Sequence, residues 1–486
     1  MEKNKLILKA AEIASIRKSL PLPIRRVAGW VKRRISRHWL WDSKEFQQYF
    51  EFLQKSQWWS LDELKAYQLE RLKELIKFAY EKVPYYQRSL KGKHLNPSDI
   101  KTLDDLQLLP LITKEEVREH INEFIPVDVD RSKLRMWVTG GSSGLPLSVY
   151  LDNFYSSMIE EAFSLRQRMW AGYKQYDRKV TLLRQPVGAS YNNRCWDFYN
   201  RENEIVLSSR DMTEDNMFEY VELIYKFKPL IVVGYPSALE IFARFIKRNG
   251  FVLPSLMAVF SGAEALFPGQ RSLIESAFNT KAFSGYGMSE RVADATECEQ
   301  HCGYHISMEY GILELLDKNC EPINKAGVAG VVVGTGFHNN VMPLIRYQMF
   351  DVAVFSSEAC LCKRNAPLVK SFVGRAREYF VGRSGKLVPL QLVWSGRHPV
   401  WSKIREMKYY QHFQGEVLAK IVPSPKHFDK DAAKELQDEI KKVLTEDEFE
   451  VQIEFVESLP LTHRGKLNFL DQTIPLDFAD ITNIGY

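Results

Sequence analysis

The sequence predicts an α/β protein with two parts: a large layered α/β N-terminal domain and a small α+β C-terminal domain. From about Trp137 onward, short β-rich runs alternate with helical segments, which is typical of helices covering a sheet. The pattern changes at Phe380, after which a charged helix at 429–444 lies between probable strands at 417–422 and 449–456. The chain has 486 residues, 45% of them hydrophobic, which is enough for two or more domains with a large core.

Periodicity and punctuating residues justify the individual elements. Residues 44–93 are predicted to be helical, most clearly over Leu61–Tyr80, where apolar residues recur near helical spacing. A helix over the run MFEYVELIYKF ends at Pro229, and another begins at Ser237 and ends at Gly250, because proline and glycine stop helices. Strands are predicted at 180–183, 230–234 and 257–261, and a further β-rich region begins at 330–334.

The positive charge is concentrated in an N-terminal arm. The net charge is +5, but residues 1–40 carry eleven Lys and Arg against two acidic residues, which gives them +9 and leaves −4 for the remainder. Apolar residues at 24, 27, 31 and 35 have cations between them, which fits a basic amphipathic helix. Two interpretations stay open: the helix lies on an anionic membrane surface, or it docks on its own protein with a solvated basic face. No nucleic-acid-binding motif accompanies the charge, so nucleic acid is not expected as a partner.

Composition also predicts the compartment. We find no run of about 18 uncharged apolar residues, so no membrane span is expected. Charges interrupt the apolar stretches of the N-terminus, which is unlike a signal peptide. Six cysteines in so long a chain do not indicate a secreted disulfide scaffold. We therefore expect a cytoplasmic protein, either free or peripherally bound at the inner membrane face through the arm.

The segment VTGGSSGLPLSVY, at 138–150, is predicted to form a strand, a flexible loop and a strand. Its glycines can turn successive N–H groups inward and its hydroxyls add donors, so the loop can hold phosphate oxygens. It is not a Walker A loop, because no Lys-Ser or Lys-Thr follows the last glycine. A plain hairpin loop is the alternative interpretation. The candidate phosphate-binding residues are Thr139, Gly140, Gly141, Ser142, Ser143 and Gly144.

Four further segments follow this loop: FSGYGMSE at 283–290, PLIRYQMFDVA at 343–353, VGRARE at 373–378 and LPLTHRGKLNFL at 459–470. Each alone indicates a turn or a strand edge, but their order and spacing are hard to obtain by chance. Together the five motifs resemble the adenylate-forming (acyl-CoA synthetase-like) superfamily. Within it they are most similar to the phenylacetate–CoA ligase family and its CapK-like branch, which is linked to capsular polysaccharide biosynthesis. The resemblance spans roughly residues 60–480 and leaves out the basic arm.

The resemblance implies a nucleotide site. The loop 139–146 would hold the ATP phosphates, Asp351 would bind the ribose hydroxyls, and Glu290 would reach Mg²⁺. Tyr286 would stack on adenine, and Arg375 would support the nucleotide. The remaining ATP- or AMP-binding candidates are Ser261, Gly262, Ala263, Glu264, Ser284, Gly285, Gly287, Met288 and Ser289. The SGAE turn among them would also line the acyl pocket.

The resemblance further implies a catalytic lysine and a moving domain. Lys466 would place a cation on the carboxylate and the α-phosphate while negative charge builds. Arg377 falls at the hinge position, and Tyr235 and Pro236 of the GYPS turn would border the acyl pocket. The implied domains are the basic arm at 1–43, the adenylation domain at 44–376 and a C-terminal lid at 377–486.

The implied activity is that of an ATP-dependent, AMP-forming carboxylate ligase with Mg²⁺. A carboxylic acid is activated as an acyl-adenylate, and the acyl group then passes to a thiol such as coenzyme A, or to an amine, in surface polysaccharide assembly. A serine hydrolase is not expected, because the SGYGMSE segment offers no GxSxG elbow with acid and His partners, and we find no paired kinase motifs.

Three departures from the family pattern motivate a second hypothesis. Leu145 stands where many relatives carry lysine, QMFD at 348–351 replaces the common Arg-Thr-Gly-Asp, and Arg377 replaces the usual Asp or Lys hinge. The alternative is therefore a catalytically reduced nucleotide-binding or scaffold protein on the same fold.

A cysteine cluster predicts a structural metal site. Three thiolates and one imidazole suit tetrahedral zinc, but the spacing is not that of a standard finger, so free structural cysteines remain the alternative. The resemblance favours zinc, since many family members carry a Cys/His pair after the adenine motif and a later C-x-C. The expected ligands are Cys298, His305, Cys360 and Cys362, with Cys302 or His301 as substitutes. Cys195 and Cys320 are interpreted as unrelated.

Overall fold

The structure, a computed structural model, describes residues 38–138, 147–183, 195–200, 202–209, 212–375, 379–393, 400, 403–424, 428–460 and 469–474. The described α-helices are α1 (His38–Trp41), α2 (Lys44–Ser56), α3 (Leu61–Lys82), α4 (Pro84–Gly92), α5 (Lys114–Glu119), α6 (Tyr155–Trp170), α7 (Glu214–Phe227), α8 (Pro236–Arg248), α9 (Pro268–Phe278), α10 (Leu390–Val393) and α11 (Lys430–Val443).

The larger part of the chain contains a two-stranded sheet followed by the strands of the main sheet. They are β1 (Arg135–Val138), β2 (Ser148–Leu151), β3 (Lys179–Leu183), β4 (Trp196–Tyr199), β5 (Glu204–Ser208), β6 (Ile231–Gly234), β7 (Ala258–Gly262), β8 (Ala282–Gly287), β9 (Asp294–Glu297), β10 (Tyr304–Ile306), β11 (Gly311–Leu316), β12 (Ala329–Gly336), β13 (Tyr347–Phe355) and β14 (Leu368–Arg375). The later strands are β15 (Tyr379–Val381), β16 (Leu387–Pro389), β17 (Ile404–Phe413), β18 (Glu416–Pro423), β19 (Glu450–Phe455) and β20 (Leu470–Gln472).

Local sequence signals set the helix bounds. Ser60 and Glu63 form a capping box that starts α3, which confirms the predicted helix at 61–80. Pro236 occupies the first turn of α8, one residue before the predicted start. Proline is favourable at this position because the backbone N–H that it lacks would have no partner within the first turn of a helix. Asp429 accepts a hydrogen bond from the Ala432 amide and caps α11, so the predicted charged helix is also confirmed.

A mixed sheet of twelve described strands forms the centre of the larger part, in the order β11-β12-β13-β14-β10-β9-β8-β7-β6-β3-β5-β4. Strands β8, β7, β6, β3 and β5 run parallel to one another. Antiparallel strands extend the sheet on the β9 side, and β4 closes the opposite edge. The predicted strands at 180–183, 230–234 and 257–261 are β3, β6 and β7 of the parallel section, and the β-rich region at 330–334 is β12.

Helices cover both faces of the parallel strands, as the α/β prediction required. Successive side chains of a strand point to opposite faces. Val232 and Val259 pack with α7, α8 and α9 on one face, whereas Ala258 and Phe260 pack with α2 and α6 on the other. Burial on both faces explains why these strands read as continuous apolar runs rather than as alternating ones.

The C-terminal residues form a separate four-stranded sheet in the order β19-β18-β17-β20. Ala432, Leu436 and Ile440 of α11 are buried in the same core as Met407 and Ala419 of this sheet. A helix on one face of a mixed sheet is the α+β arrangement that the sequence predicted after residue 380. The contacts of the larger part with this sheet, among the described residues, are given below.

The described end of the basic arm packs on the protein itself. Leu40 and Trp41 in α1 are 3% and 1% exposed. The Trp41 ring lies edge-on to Tyr176 at 5.2 Å, and the Lys179 ammonium is 5.5 Å from its centre. The docked interpretation therefore holds for these residues, while positions 1–37, including the amphipathic pattern at 24–35, lie outside the described residues. Among the helices that the structure describes, none is long and apolar enough to cross a membrane.

Candidate active site

Three sequence motifs meet at the carboxyl ends of the parallel strands. Gly234 at the end of β6 pairs with Ser261 of β7, and Ser261 pairs with Ser284 of β8. The GYPS, SGAE and SGYG segments therefore lie side by side. In open α/β sheets this edge is the usual place for a ligand, because the strand ends leave a crevice between the loops that follow them.

The GYPS and SGAE turns are physically coupled. The Ser237 amide, in the first turn of α8, donates to the Glu264 carboxylate at 3.0 Å. Ala263 holds a left-handed backbone with φ +66°, which is uncommon for a residue with a side chain. Tyr235 is buried directly before the helix. The predicted pocket residues Tyr235 and Pro236 are thus fixed against the predicted SGAE turn.

Tyr286 and Asp351 are joined directly. The Tyr286 hydroxyl donates to the Asp351 carboxylate at 2.7 Å. Its ring stacks on Phe372 of β14, with centroids 3.6 Å apart and planes within 7°. Arg375 is the partner of Asp351 across β13 and β14, so the backbone brings this predicted pair together as well. Sequence reasoning missed Phe372, although it directly precedes the VGRARE segment.

Glu290 lies half-buried in the turn after β8. Burial, and then the negative charge of Glu290, raise the pKa of Tyr347 well above its ordinary value, and the Tyr347 hydroxyl is hydrogen-bonded to Glu290. Glu115 and Asp351 act on the same hydroxyl through their charges. Carboxylate oxygens are the ligands that Mg²⁺ prefers, so Glu290 and the carboxylates near it are chemically able to hold that ion.

The backbone behind Glu290 is tightly held. Arg291 has a left-handed conformation with φ +59°, and its guanidinium donates to the Ser156 carbonyl. Its Nε lies 3.8 Å from the Glu160 carboxylate on α6. Val292 is 1% exposed, and a Cβ on Gly334 would come within 2.8 Å of its Cγ2. Glycine at that position lets the strand approach, and the turn that carries Glu290 is fixed from behind.

The predicted metal ligands converge. One ligand atom from each of Cys298, His305, Cys360 and Cys362 lies within 4.8 Å of the others. The Cys362 sulfur is 3.3 Å from His305 Nε2, and the sulfurs of Cys298 and Cys360 are 3.5 Å apart. Burial, followed by the charge of Arg364, lowers the pKa of His305 to about 4, so the imidazole is neutral at pH 7 and can ligate a metal.

The two substitute ligands differ in position. Cys302 lies at the rim of the cluster, with its sulfur 3.0 Å from that of Cys360. The His301 ring instead lies 4.5 Å from that of Phe283, tilted by 59°, and faces the Glu297 carboxylate at 3.6 Å. Three thiolates and one neutral imidazole match the donor set of structural zinc. Cys320 is exposed, and the Cys195 thiol donates to Glu219, so both lie apart from the cluster.

Several predicted residues lie outside the described part of the chain: the phosphate loop at 139–146, the hinge residue Arg377 and the catalytic lysine Lys466. The two strands predicted to flank the loop are described: β1 and β2 pair antiparallel, with Val138 opposite Ser148. The remaining motif residues, Gly262, Gly285, Gly287, Met288 and Ser289, lie in β7, β8 and the turn that follows β8.

No protein-family model matches the chain. The chain is 24% identical to Protein CapK of Staphylococcus aureus over 444 residues, which cover 90% of this chain and 93% of that protein. It is 26% identical to the phenylacetate–coenzyme A ligase of Thermus thermophilus over 339 residues, 68% of this chain and 74% of that protein.

Among solved structures, the chain resembles 2-hydroxyisobutyryl-CoA ligase in the postadenylation state. The TM-score is 0.68 at 18% identity, and the match covers 86% of this chain and 93% of that one. The chain is therefore a homologue of CapK and of the phenylacetate–coenzyme A ligases, with the fold of the adenylate-forming acyl-CoA ligases.

Proposed function

We propose that this protein is an ATP-dependent, AMP-forming acid–CoA ligase. The observation that carries the proposal is the pairing of Gly234, Ser261 and Ser284, which aligns three sequence motifs at one edge of the sheet. Beside them, the Tyr286 hydroxyl is hydrogen-bonded to Asp351. Homology to phenylacetate–coenzyme A ligases over 68% of the chain supports the same reaction class.

In the first step, an oxygen of the acid's carboxylate attacks the α-phosphorus of ATP. The bond from that phosphorus to the bridging oxygen breaks, pyrophosphate leaves, and an acyl-adenylate forms. Asp351 holds the ribose hydroxyls, Tyr286 contacts the adenine, and Lys466 stabilises the charge that builds on the α-phosphate. Glu290 would hold Mg²⁺, and the ion would supply positive charge for the leaving pyrophosphate. Catalysis is then mainly positioning and charge stabilisation.

In the second step, the thiol of coenzyme A attacks the acyl carbonyl and AMP leaves. The lid at 377–486 turns about Arg377, withdraws Lys466 and admits the thiol. We place the domain boundary between 376 and 377, which agrees with the separate sheet formed by β17–β20. An amine is the second candidate acceptor, because adenylate chemistry serves thiols and amines alike.

A role in capsule or surface polysaccharide assembly is the biological part of the proposal. Similarity to CapK over 93% of that protein's length supports it. The basic arm would hold the enzyme near its substrates at the inner membrane face. Deleting residues 1–37 tests this point and leaves the buried Leu40 and Trp41 in place. Unchanged binding to anionic liposomes after the deletion would contradict it.

We further propose that Cys298, His305, Cys360 and Cys362 hold a structural zinc ion. Four protein ligands leave no open position for a substrate, as expected of a structural site. The ion would tie the segment after β9 to the loop between β13 and β14, and thereby support the strands that carry Asp351 and Phe372.

Pyrophosphate release from ATP, measured against aryl, amino and uronic acids, tests the proposed activity. The wild type should respond to one class of acid, and Lys466→Ala should lose the response while it still binds ATP. Release that is equal in both proteins would contradict the assigned role of Lys466. ATP binding without release for any acid would instead favour the scaffold alternative.

A further inference from the structure

An open space, the hollow, lies next to Gly262 beside the aligned motifs, on the α6 face of the sheet, as far as the described residues show. Phe260 and Phe283 are cross-strand partners whose rings pack 5.1 Å apart in the core under α6. Two residues further along the strands, on the same face, Gly262 pairs with Gly285. A Cβ on Gly262 would meet nothing within 4 Å. The aromatic layer therefore ends at two adjacent glycines, and among the described residues the space beside Gly262 is open at the carboxyl end of β7.

Gln167 of α6 forms the wall of this hollow next to Gly285. A Cβ on Gly285 would lie 3.3 Å from the Gln167 Nε2 and 3.6 Å from its Oε1. The Nε2 donates to the Ser284 carbonyl at 3.1 Å. Because a carbonyl oxygen only accepts, this bond fixes which end of the amide faces the strand and directs Oε1 elsewhere as an acceptor. Within the described part of the chain, Oε1 accepts no hydrogen bond.

The helix face that carries Gln167 is polar along its length. Glu160 and Ser164 precede Gln167 at helical spacing, and all three side chains are half-buried. The opposite side of the same helix is apolar and sits in the core with Phe260 and Phe283. An apolar acyl group in the hollow would cover the Gln167 oxygen without replacing the hydrogen bonds it makes to water, which is unfavourable.

We propose that Gln167 selects the acid: the preferred substrate carries a hydroxyl or amino group close to its carboxylate and donates a hydrogen bond to Gln167 Oε1. This inference rests on the proposed ligase function and adds the substrate class. The hollow lies beside Ser284 and the SGYG segment of β8, so the group it recognises is near the carbon that becomes adenylated. Gln167 is a specificity residue and has no part in the phosphoryl chemistry.

Matched pairs of acids test the proposal with the full-length enzyme. The pairs are propanoate with 2- and 3-hydroxypropanoate, and butanoate with 3-hydroxy- and 3-aminobutanoate. We expect the wild type to prefer at least one substituted acid over its parent by tenfold or more in kcat/KM, measured as pyrophosphate release. Gln167→Leu should abolish the preference and leave the KM for ATP unchanged.

Gln87→Leu is the matched control, because Gln87 is also a half-buried helical glutamine whose amide donates to a backbone carbonyl, that of Glu81, at 2.9 Å. A wild-type preference for the unsubstituted acids overturns the inference, whether or not Gln167→Leu folds. The inference is also overturned if folded Gln167→Leu keeps the wild-type ratio of kcat/KM values for the substituted and the parent acids. Activity confined to apolar aryl acids overturns it too. If no acid gives Lys466-dependent release, the proposed ligase function itself fails.

Discussion

Arg291 holds a left-handed backbone directly after the carboxylate that we assign to Mg²⁺. Its guanidinium is anchored on the Ser156 carbonyl and near Glu160, both on α6, so the side chain fixes the turn rather than the nucleotide. We expect Arg291→Ala to lower the rate of pyrophosphate release by tenfold or more and to raise the Mg²⁺ concentration needed for half-maximal rate. Loss of a buried anchor of this kind costs about 1–3 kcal/mol.

A magnesium titration of the two proteins checks this prediction. Lys228→Ala is the matched control, because Lys228 also has a positive φ, of 50°, but caps the exposed end of α7. Arg291→Gly separates the two roles of the residue, since glycine relieves the backbone and still lacks the anchor. If Arg291→Gly has wild-type magnesium dependence, the side chain does not position Glu290.

Asp294, three residues further on, predicts a pH dependence of stability. Burial raises the pKa of Asp294 to about 7, although Ser307 donates a hydrogen bond to its carboxylate at 2.5 Å. An unfolded aspartate has a pKa of about 3.9. The folded state therefore keeps the proton where the unfolded state has lost it, and the contribution to stability disappears as the pH rises from about 4 to about 7.

Asp294→Asn cannot ionise and should remove this dependence. Relative to the variant, the free energy of unfolding of the wild type should fall by about 3 kcal/mol between pH 5 and pH 8. Urea denaturation at several pH values measures the difference. Parallel curves for the two proteins would show that the folded carboxyl ionises near its ordinary pKa.

At the scale of elements, the sequence predicted what local patterns control. The bounds of α3 and α11 follow from capping residues, and the parallel strands follow from apolar runs bounded by turns. The members of the cysteine cluster were also predictable, because Cys and His are residue types that can ligate zinc and the family resemblance indicated their order. The roles of Phe372 and Gln167 could not be predicted from the sequence. They depend on contacts of β14 and α6 with β8, and no local sequence pattern encodes such a contact.

The cysteine cluster joins elements that are distant in sequence, so its occupancy should affect stability. We expect the purified protein to contain one zinc ion per chain. Cys298→Ser and Cys362→Ser should lose it and lower the melting temperature by several degrees, because ligand binding to the folded state adds to its stability. Elemental analysis and thermal melts measure both effects.

Cys320→Ser provides the control, since Cys320 is exposed and lies apart from the cluster. Cys302→Ser tests the substitute ligand, whose sulfur lies beside Cys360 but outside the group of four. We expect Cys302→Ser to retain zinc. Loss of zinc from this variant, with retention in His305→Ala, would exchange the two residues in the ligand set.

For the whole molecule, two separate cores explain why a two-part architecture was predictable while the contact between the parts was not. The strands of each part carry their own apolar patterns, and among the described residues Phe267 from the SGAE side lies in the core of the C-terminal sheet, with Ala265 packed against it. Phe267 approaches Phe469 at 6.4 Å. Arg248, at the end of α8, donates to Ser424 at 2.7 Å and pairs with Glu214 at 2.5 Å. Such isolated contacts leave no periodic signal in a sequence.

Arg248 should therefore bias the enzyme toward the arrangement seen here. Its side chain is 10% exposed and links α7 and α8 to the residue that follows β18. If the lid turns between the two half-reactions, this contact stabilises only one of its positions. Arg248→Ala should then slow one half-reaction several-fold and spare the other, because a group that binds one of two states shifts their populations.

Because α8 also carries the acyl-pocket turn at its start, we expect the affected step to be adenylate formation. Single-turnover pyrophosphate release measures that step, and thioester formation from supplied acyl-adenylate measures the second. Arg383→Ala is the control. Among the described residues, the Arg383 side chain contacts the carbonyls of Glu446 and Asp447 and the Glu450 carboxylate, all of which belong to the C-terminal part. Equal slowing of both steps by Arg248→Ala would mean that the contact supports folding in general, and the preference for one lid position would have to come from other residues.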